Sequence, residues 1–301
     1  MVLTLAKQVL IMFLLSGIGF LMFRTKKISM EGSKSIGNIL IFLSLPCVII
    51  NGFQVERTQE TLTGLGLSAL AAAVILVVCI VVSRLFFKKD PIAGFASAFS
   101  NPGFFGVPLI VSSLSQGAVF YVAAFIAFLN LLQWTYGVAI MTGEKKGLSF
   151  KKVITAPFMI AIMIGLFFFL SGLKMPEMAK SVVSFIANLN TPLAMFTVGI
   201  YLAQTDLPAM IRRGKLYAVS AVRLLVIPAI SLLLLSLIPS SQMDLKLAIL
   251  IAAACPVGSN VAVYAQLHNK DYTYAVETVV ISTLLSVITI PGVVWLAQQI
   301  W

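Results

Sequence analysis

Stretches of about twenty apolar residues, the length a helix needs to cross a bilayer, follow one another along the whole chain and are parted only by short charged joints. Apolar runs bounded by charges, glycine or proline fall near 5–23, 36–53, 64–87, 92–114, 118–142, 153–173, 181–204, 215–238, 245–267 and 272–300. Of the 301 residues, 60% are hydrophobic and 10% charged, against about 25% charged in soluble domains. The pattern predicts an all-α membrane protein of ten transmembrane helices, with nothing left over for a soluble domain.

The net charge of +11 does not point to a nucleic-acid partner, because the basic residues sit in the joints rather than along one amphipathic face. Cys47, Cys79 and Cys255 lie in apolar segments without CxxC spacing and read as small packing residues. The first apolar stretch has its basic cluster, Arg24, Lys26 and Lys27, after it. That is the reverse of a cleavable signal peptide, so it reads as a retained first span.

Cytoplasmic joints carry the excess of Lys and Arg. The odd-numbered joints hold Arg24, Lys26, Lys27, Lys34, Arg84, Lys88, Lys89, Lys145, Lys146, Lys151, Lys152, Arg212, Arg213, Lys215 and Lys270; the even ones hold only Arg57, Lys174, Lys180 and Lys246. With ten spans, this predicts a multi-pass protein of the plasma (inner) membrane with both termini outside the cytoplasm. The chain also reads as two copies of one five-span unit, 1–142 and 153–301. Pro102 aligns with Pro256 at an offset of 154, and Leu45-Pro46 aligns with Thr191-Pro192 at an offset of 146. An odd number of spans per copy makes the repeat inverted, an architecture whose halves rock around a site at the bilayer midplane.

Two clusters of helix breakers lie inside apolar stretches: Ser100-Asn101-Pro102-Gly103-Phe104-Phe105-Gly106-Val107-Pro108 in span four and Cys255-Pro256-Val257-Gly258-Ser259-Asn260 in span nine. Proline removes an amide donor and clashes with the carbonyl four residues back, and glycine lets the backbone leave helical angles. Irregular backbone survives in a bilayer only where it lines a cavity or is packed in protein. Each span is therefore expected to be two half-helices around a short unwound elbow. The half-helix after each elbow aims free amide groups and a partial positive charge at it, an anion site built without a buried Lys or Arg. Asn101, Pro102, Gly103, Gly106 and Pro108, with Cys255, Pro256, Gly258, Ser259 and Asn260, are the candidate substrate-binding residues. Pro157, Pro228 and Pro291 stand alone among apolar neighbours and read as simple kinks.

These motifs, with Leu43-Ser44-Leu45-Pro46 in span two and Asn190-Thr191-Pro192-Leu193-Ala194 in span seven, resemble the auxin efflux carrier family of membrane transporters over essentially the whole chain. The resemblance implies the fold shared with bile acid sodium symporters: spans three to five and eight to ten form a moving core, spans one, two, six and seven a scaffold, and spans four and nine cross at their elbows. It further implies transport of organic anions, from dicarboxylates to indole acetic acid, and a homodimer joined through the scaffolds. It puts substrate contact at Asn101 to Gly103 and at Pro256 to Asn260. The long hydrophilic centre of plant exporters is reduced here to Thr142 to Lys152, as in a compact prokaryotic member. The acidic residue that sodium-coupled relatives carry near the span-nine crossing is replaced by Ser259 and Asn260, which argues against sodium coupling.

Arg223 and Glu277 are the ionisable residues expected inside spans, where a charge costs about 2.5–3.5 kcal/mol on insertion scales. At about 1.5 Å per residue, Arg223 lies roughly 12 Å and Glu277 roughly 8 Å from the cytoplasmic ends of their helices. That suits an ion pair, or a proton-carrying role for Glu277. His268 reads as a surface residue. No paired aspartates, HExxH motif or GxxxxGK[ST] loop is present, so an enzyme or an ATP-driven pump is disfavoured and no cofactor or metal is called for. A carrier of small organic anions is the leading expectation; a channel or passive pore is the alternative.

Overall fold

The computed structural model describes residues 2–143 and 154–301. The basic residues Lys145, Lys146, Lys151 and Lys152, and most of the joint that replaces the plant exporters' centre, lie outside them. Among the described residues the chain is helical throughout, with no strand. The principal helices are α1 (Val2–Arg24), α2 (Met30–Gly52), α3 (Gln59–Phe87), α4 (Pro91–Ala98), α5 (Pro102–Ser113), α6 (Val119–Thr142), α7 (Pro157–Ser171), α8 (Glu177–Gln204), α9 (Leu207–Ile211), α10 (Gly214–Leu235), α11 (Met243–Ala254), α12 (Asn260–Leu267) and α13 (Tyr272–Ile300). Seven of these, α1, α2, α3, α6, α8, α10 and α13, are long and apolar enough to cross a membrane. The remaining expected spans correspond to the 15-residue α7 and to the two interrupted stretches α4–α5 and α11–α12.

Two helices start earlier than hydropathy suggests, because their first turns are polar and capped. Ser29 accepts the Gly32 amide ahead of α2, and Thr58 and Thr61 form a reciprocal capping box ahead of α3. The prolines act through local rewinding. Wide π-turns at Leu40–Ser44, Pro102–Gly106 and Val222–Val226 immediately precede the helical segments that carry Pro46, Pro108 and Pro228 near their starts. The extra residue in such a turn accommodates the ring and the missing amide. Pro157 is not a kink: it opens α7, where its fixed φ suits a first helical turn. Pro291 is carried within α13.

The helices pack as one continuous bundle, in which α1 also lies against α13 and α5. α1 runs along α8, and α2 packs on α7 and α8; α3 packs on α4, α6 and α10, α13 on α10 and α12, and α11 on α6. Backbone meets backbone where α1 crosses α8. A Cβ on Gly19 would stand 2.6 Å from the Phe196 Cα, and one on Gly199 would collide with the Ser16 carbonyl. Small residues at such crossings let helices approach closely where lipid gives no hydrophobic incentive. Outward faces stay apolar, as at Leu10, Leu14 and Leu21 of α1 and Val74, Val77 and Val81 of α3, all exposed.

Candidate functional site

The two breaker clusters do interrupt their helices, and they meet. Asp90 caps the start of α4 by accepting the Ala93 amide at 3.0 Å. After Ala98 the chain extends through Phe99 and Asn101 before α5 begins at Pro102. In the second half, α11 stops at Ala254, Cys255 takes an extended conformation, and α12 resumes at Asn260. The extended pieces pair antiparallel at Ser100 and Val257. The Asn101 amide donates to the Pro256 carbonyl at 3.0 Å and the Gly258 amide to the Phe99 carbonyl at 2.9 Å. The Val257 amide donates to Ser282 Oγ at 3.1 Å. Peptide groups that lose helical partners are thus satisfied across the crossing, as buried backbone requires. Glycine permits the close approach at 258, because a Cβ there would lie 2.8 Å from the Ser100 carbonyl oxygen.

A cavity of 410 Å³ opens beside the crossing, within the range of small-molecule sites. Asn101, Pro102, Gly103, Gly258, Ser259 and Asn260 line it, so the first turns of α5 and α12 begin at its wall. Of the other candidates, Gly106 packs against Cys255, where a Cβ would meet the sulfur at 2.9 Å. Cys255 is fully buried, Pro256 spends its carbonyl on Asn101, and Pro108 lines a separate cavity of 150 Å³. None of these four faces the larger space.

The polar equipment is neutral. Asn101 Oδ1 accepts the Phe104 amide at 3.3 Å, capping α5, and its Nδ2 has no partner among the described residues. Asn260 Nδ2 donates to Gln133 Oε1 at 2.8 Å, leaving Asn260 Oδ1 at the cavity. Ser100 borders the same space, but its Oγ is buried and without a partner among the described residues. Asn130, Trp134 and Tyr264 complete the wall, with the two aromatic rings edge to face at 5.6 Å. The part played by α6 is not among the sequence expectations; the signal for it is the run Asn130, Gln133, Trp134 inside an otherwise apolar helix. From α2 and α7 come Ile41, Phe42, Leu45, Pro157 and Phe158. Gly103 borders this cavity, Asn190 borders the smaller one, and the Asn190 Nδ2 donates to the Gly103 carbonyl at 3.1 Å between them.

The expected Arg223–Glu277 pair does not form. Glu277, almost fully buried, accepts from Arg213 at 2.6 Å, with Arg213 itself half exposed. Arg213 stands immediately ahead of α10, so a joint residue supplies the charge that the helix-centred argument assigned to Arg223. Arg223 is 0% exposed and donates to backbone carbonyls: Nη1 to Ser97 and Ala98, both at 3.1 Å, and Nη2 to Ala253. Lys246, counted in a joint, lies in the first turn of α11 with its ammonium 4.3 Å from the centre of the Trp301 ring. His268 is partly exposed at the end of α12 and stacks on Tyr264.

Long apolar helices around two paired interruptions and an open cavity lined by no charged side chain are the features of a multi-pass membrane protein with a midplane site. Residues 146–294 match the model of the family described as "Membrane transport protein". A "Putative malonate transporter" of Rhizobium meliloti (strain 1021) is 26% identical over 305 residues, covering 94% of this chain and 93% of that protein. The chain is thus similar to membrane transport proteins, through its second half to the family model and along nearly its whole length to this relative.

Proposed function

We propose that this protein is a secondary carrier of small organic anions, malonate-like carboxylates among them, which bind where the first turns of α5 and α12 meet the 410 Å³ cavity. The observation that carries the reading is the pairing of the two interruptions, because it brings two helix N-termini to one cavity. Their partial positive ends favour a carboxylate without a charged side chain. The Asn101 amide and the Ser259 hydroxyl add donors. The relative named for malonate favours the same substrate class.

In this reading the chain crosses the membrane ten times, with α4–α5 and α11–α12 each counting as one interrupted span. The halves, 1–142 and 153–301, are inverted copies, and antiparallel pairing at the crossing is the relation that inversion requires. Both termini lie outside the cytoplasm, and the larger cavity opens inward, since the cytoplasmic ends of α6, α7 and α12 border it. α1, α2, α7 and α8 act as scaffold and the rest as moving core. The cavity lies between the two sets, and the Asn190–Gly103 bond joins them across the septum to the smaller cavity. Alternating access follows when that contact breaks and the core shifts. A homodimer joined through the scaffold helices is the assembly that accompanies it. Uptake of labelled malonate and related carboxylates into proteoliposomes tests the reading; absence of saturable uptake for every carboxylate offered would reject it.

A further inference from the structure

The C-terminal ends of interrupted helices pose a problem opposite to that of their N-termini. Their last carbonyls have no intrahelical donors and carry partial negative charge. In transporters built on such helices, unwound carbonyls and half-helix C-termini hold the coupling cation. Here α4 and α11 both end at the crossing, and a single buried side chain takes their final carbonyls. Arg223, projected from the π-turn Val222–Val226 of α10, donates to Ser97 and Ala98 at the end of α4 and to Ala253 at the end of α11. Guanidinium remains protonated even when buried. Among the described residues no carboxylate pairs with it; its other close contact is Cys79 Sγ at 3.9 Å, and its Nε has no acceptor. Its charge is therefore balanced by helix-end carbonyls, the groups that would otherwise surround a bound metal cation. No cluster of His, Cys, Asp or Glu able to hold a metal lies among the described residues.

We infer that Arg223 is a built-in cation occupying the position of a coupling-ion site, so that the crossing is held together by the chain's own charge and anion transport proceeds without sodium. The guanidinium sits at the C-termini while the substrate carboxylate meets the N-termini, so one fixed charge supports the anion site without touching it. Arg223 is thus a positioning residue. The consequence for coupling rests on the carrier reading above; occupancy of the carbonyl cage does not, and the test separates them.

Melting of the purified protein is followed by tryptophan fluorescence in sodium, potassium, choline and methylguanidinium chloride for wild type, Arg223→Ala and Arg223→Lys. Wild type is expected to melt alike in all four salts. Arg223→Ala is expected to melt lower and to recover about 3 °C or more, saturably, with methylguanidinium or a small metal cation but not with choline. Arg223→Lys keeps the charge but loses the fork and is expected to show a weaker recovery. Saturable stabilisation of wild type by sodium over potassium and choline would overturn the inference, as would an Arg223→Ala protein indifferent to all four salts. If neither variant is recovered folded, the wild-type salt comparison decides alone. In proteoliposomes, wild-type malonate uptake is expected to be unchanged when choline replaces sodium outside, and a requirement for sodium would overturn the inference. Absence of any carboxylate uptake would reject the carrier reading, while the melting data would still rule on the carbonyl cage.

Discussion

Gly258→Ala is the substitution whose effect the structure fixes most closely. The added methyl would stand 2.8 Å from the Ser100 carbonyl oxygen and 3.3 Å from that of Phe99, both backbone atoms, whereas ordinary contact begins at 3.4 Å. Relief therefore needs a displacement of about 0.6 Å between two extended segments that are tied by hydrogen bonds of 3.0 and 2.9 Å. Overpacking of this kind costs about 1–3 kcal/mol, and weakening one buried hydrogen bond adds about 1 kcal/mol. For a chain of this size each kcal/mol lowers melting by roughly 2–4 °C, so a fall of about 4–16 °C is expected. Transport is expected to suffer more than stability, because Asn101 and Asn260 sit on opposite sides of the strained pair and an ångström of misplacement is worth up to about a hundredfold in rate. Thermal unfolding and malonate uptake into proteoliposomes read the two effects. Gly66→Ala is the matched control, since nothing lies within 4 Å of its Cβ, and it should behave as wild type. A Gly258→Ala protein that melts and transports like Gly66→Ala would refute the close packing on which the crossing depends.

Asn101→Asp keeps the cap on the Phe104 amide but sets a negative charge at the cavity; melting should change by under about 1 kcal/mol, while carboxylate uptake falls at least tenfold, and unaltered uptake would remove Asn101 from the site. Glu277→Gln breaks a pair whose arginine is half exposed, so a stability loss of at most about 1 kcal/mol is expected. Its uptake should keep the wild-type pH profile; a flattened profile would instead make Glu277 the proton carrier. Gly199→Ala drives a methyl into the Ser16 carbonyl where α1 crosses α8. It is expected to lower the yield of folded protein severely, and normal yield and melting would contradict the close crossing. Reporter fusions at both ends test the orientation; a cytoplasmic Trp301 would reverse the side to which the larger cavity opens.

What was legible in the sequence were features whose cost is local. Proline and glycine clusters inside apolar runs break helices wherever they occur, so the interruptions at Asn101 and Cys255 followed from residue type, and their matching places in the two halves suggested that they meet. Partnerships made across the fold were not legible. Depth along a helix suggested Arg223 for Glu277, but rotation about the axis decides which side chains face each other. Arg223 turns inward to the helix-end carbonyls, and Arg213 reaches Glu277 from the joint. The cavity wall from α2, α6 and α7 was equally hidden, because Phe42, Trp134 and Phe158 are ordinary membrane-helix residues until packing sets them around one space. Hydropathy misplaced the starts of α2 and α3 because capped polar turns at Ser29 and Thr58 add helix without adding apolar length.

A structure determined with malonate bound addresses the central claim most directly. The account predicts one carboxylate density at the first turns of α5 and α12, within hydrogen-bonding reach of Asn101 and Ser259 and away from Arg223. Density lodged on Arg223, in the smaller cavity near Pro108, or on the outer surface would contradict it.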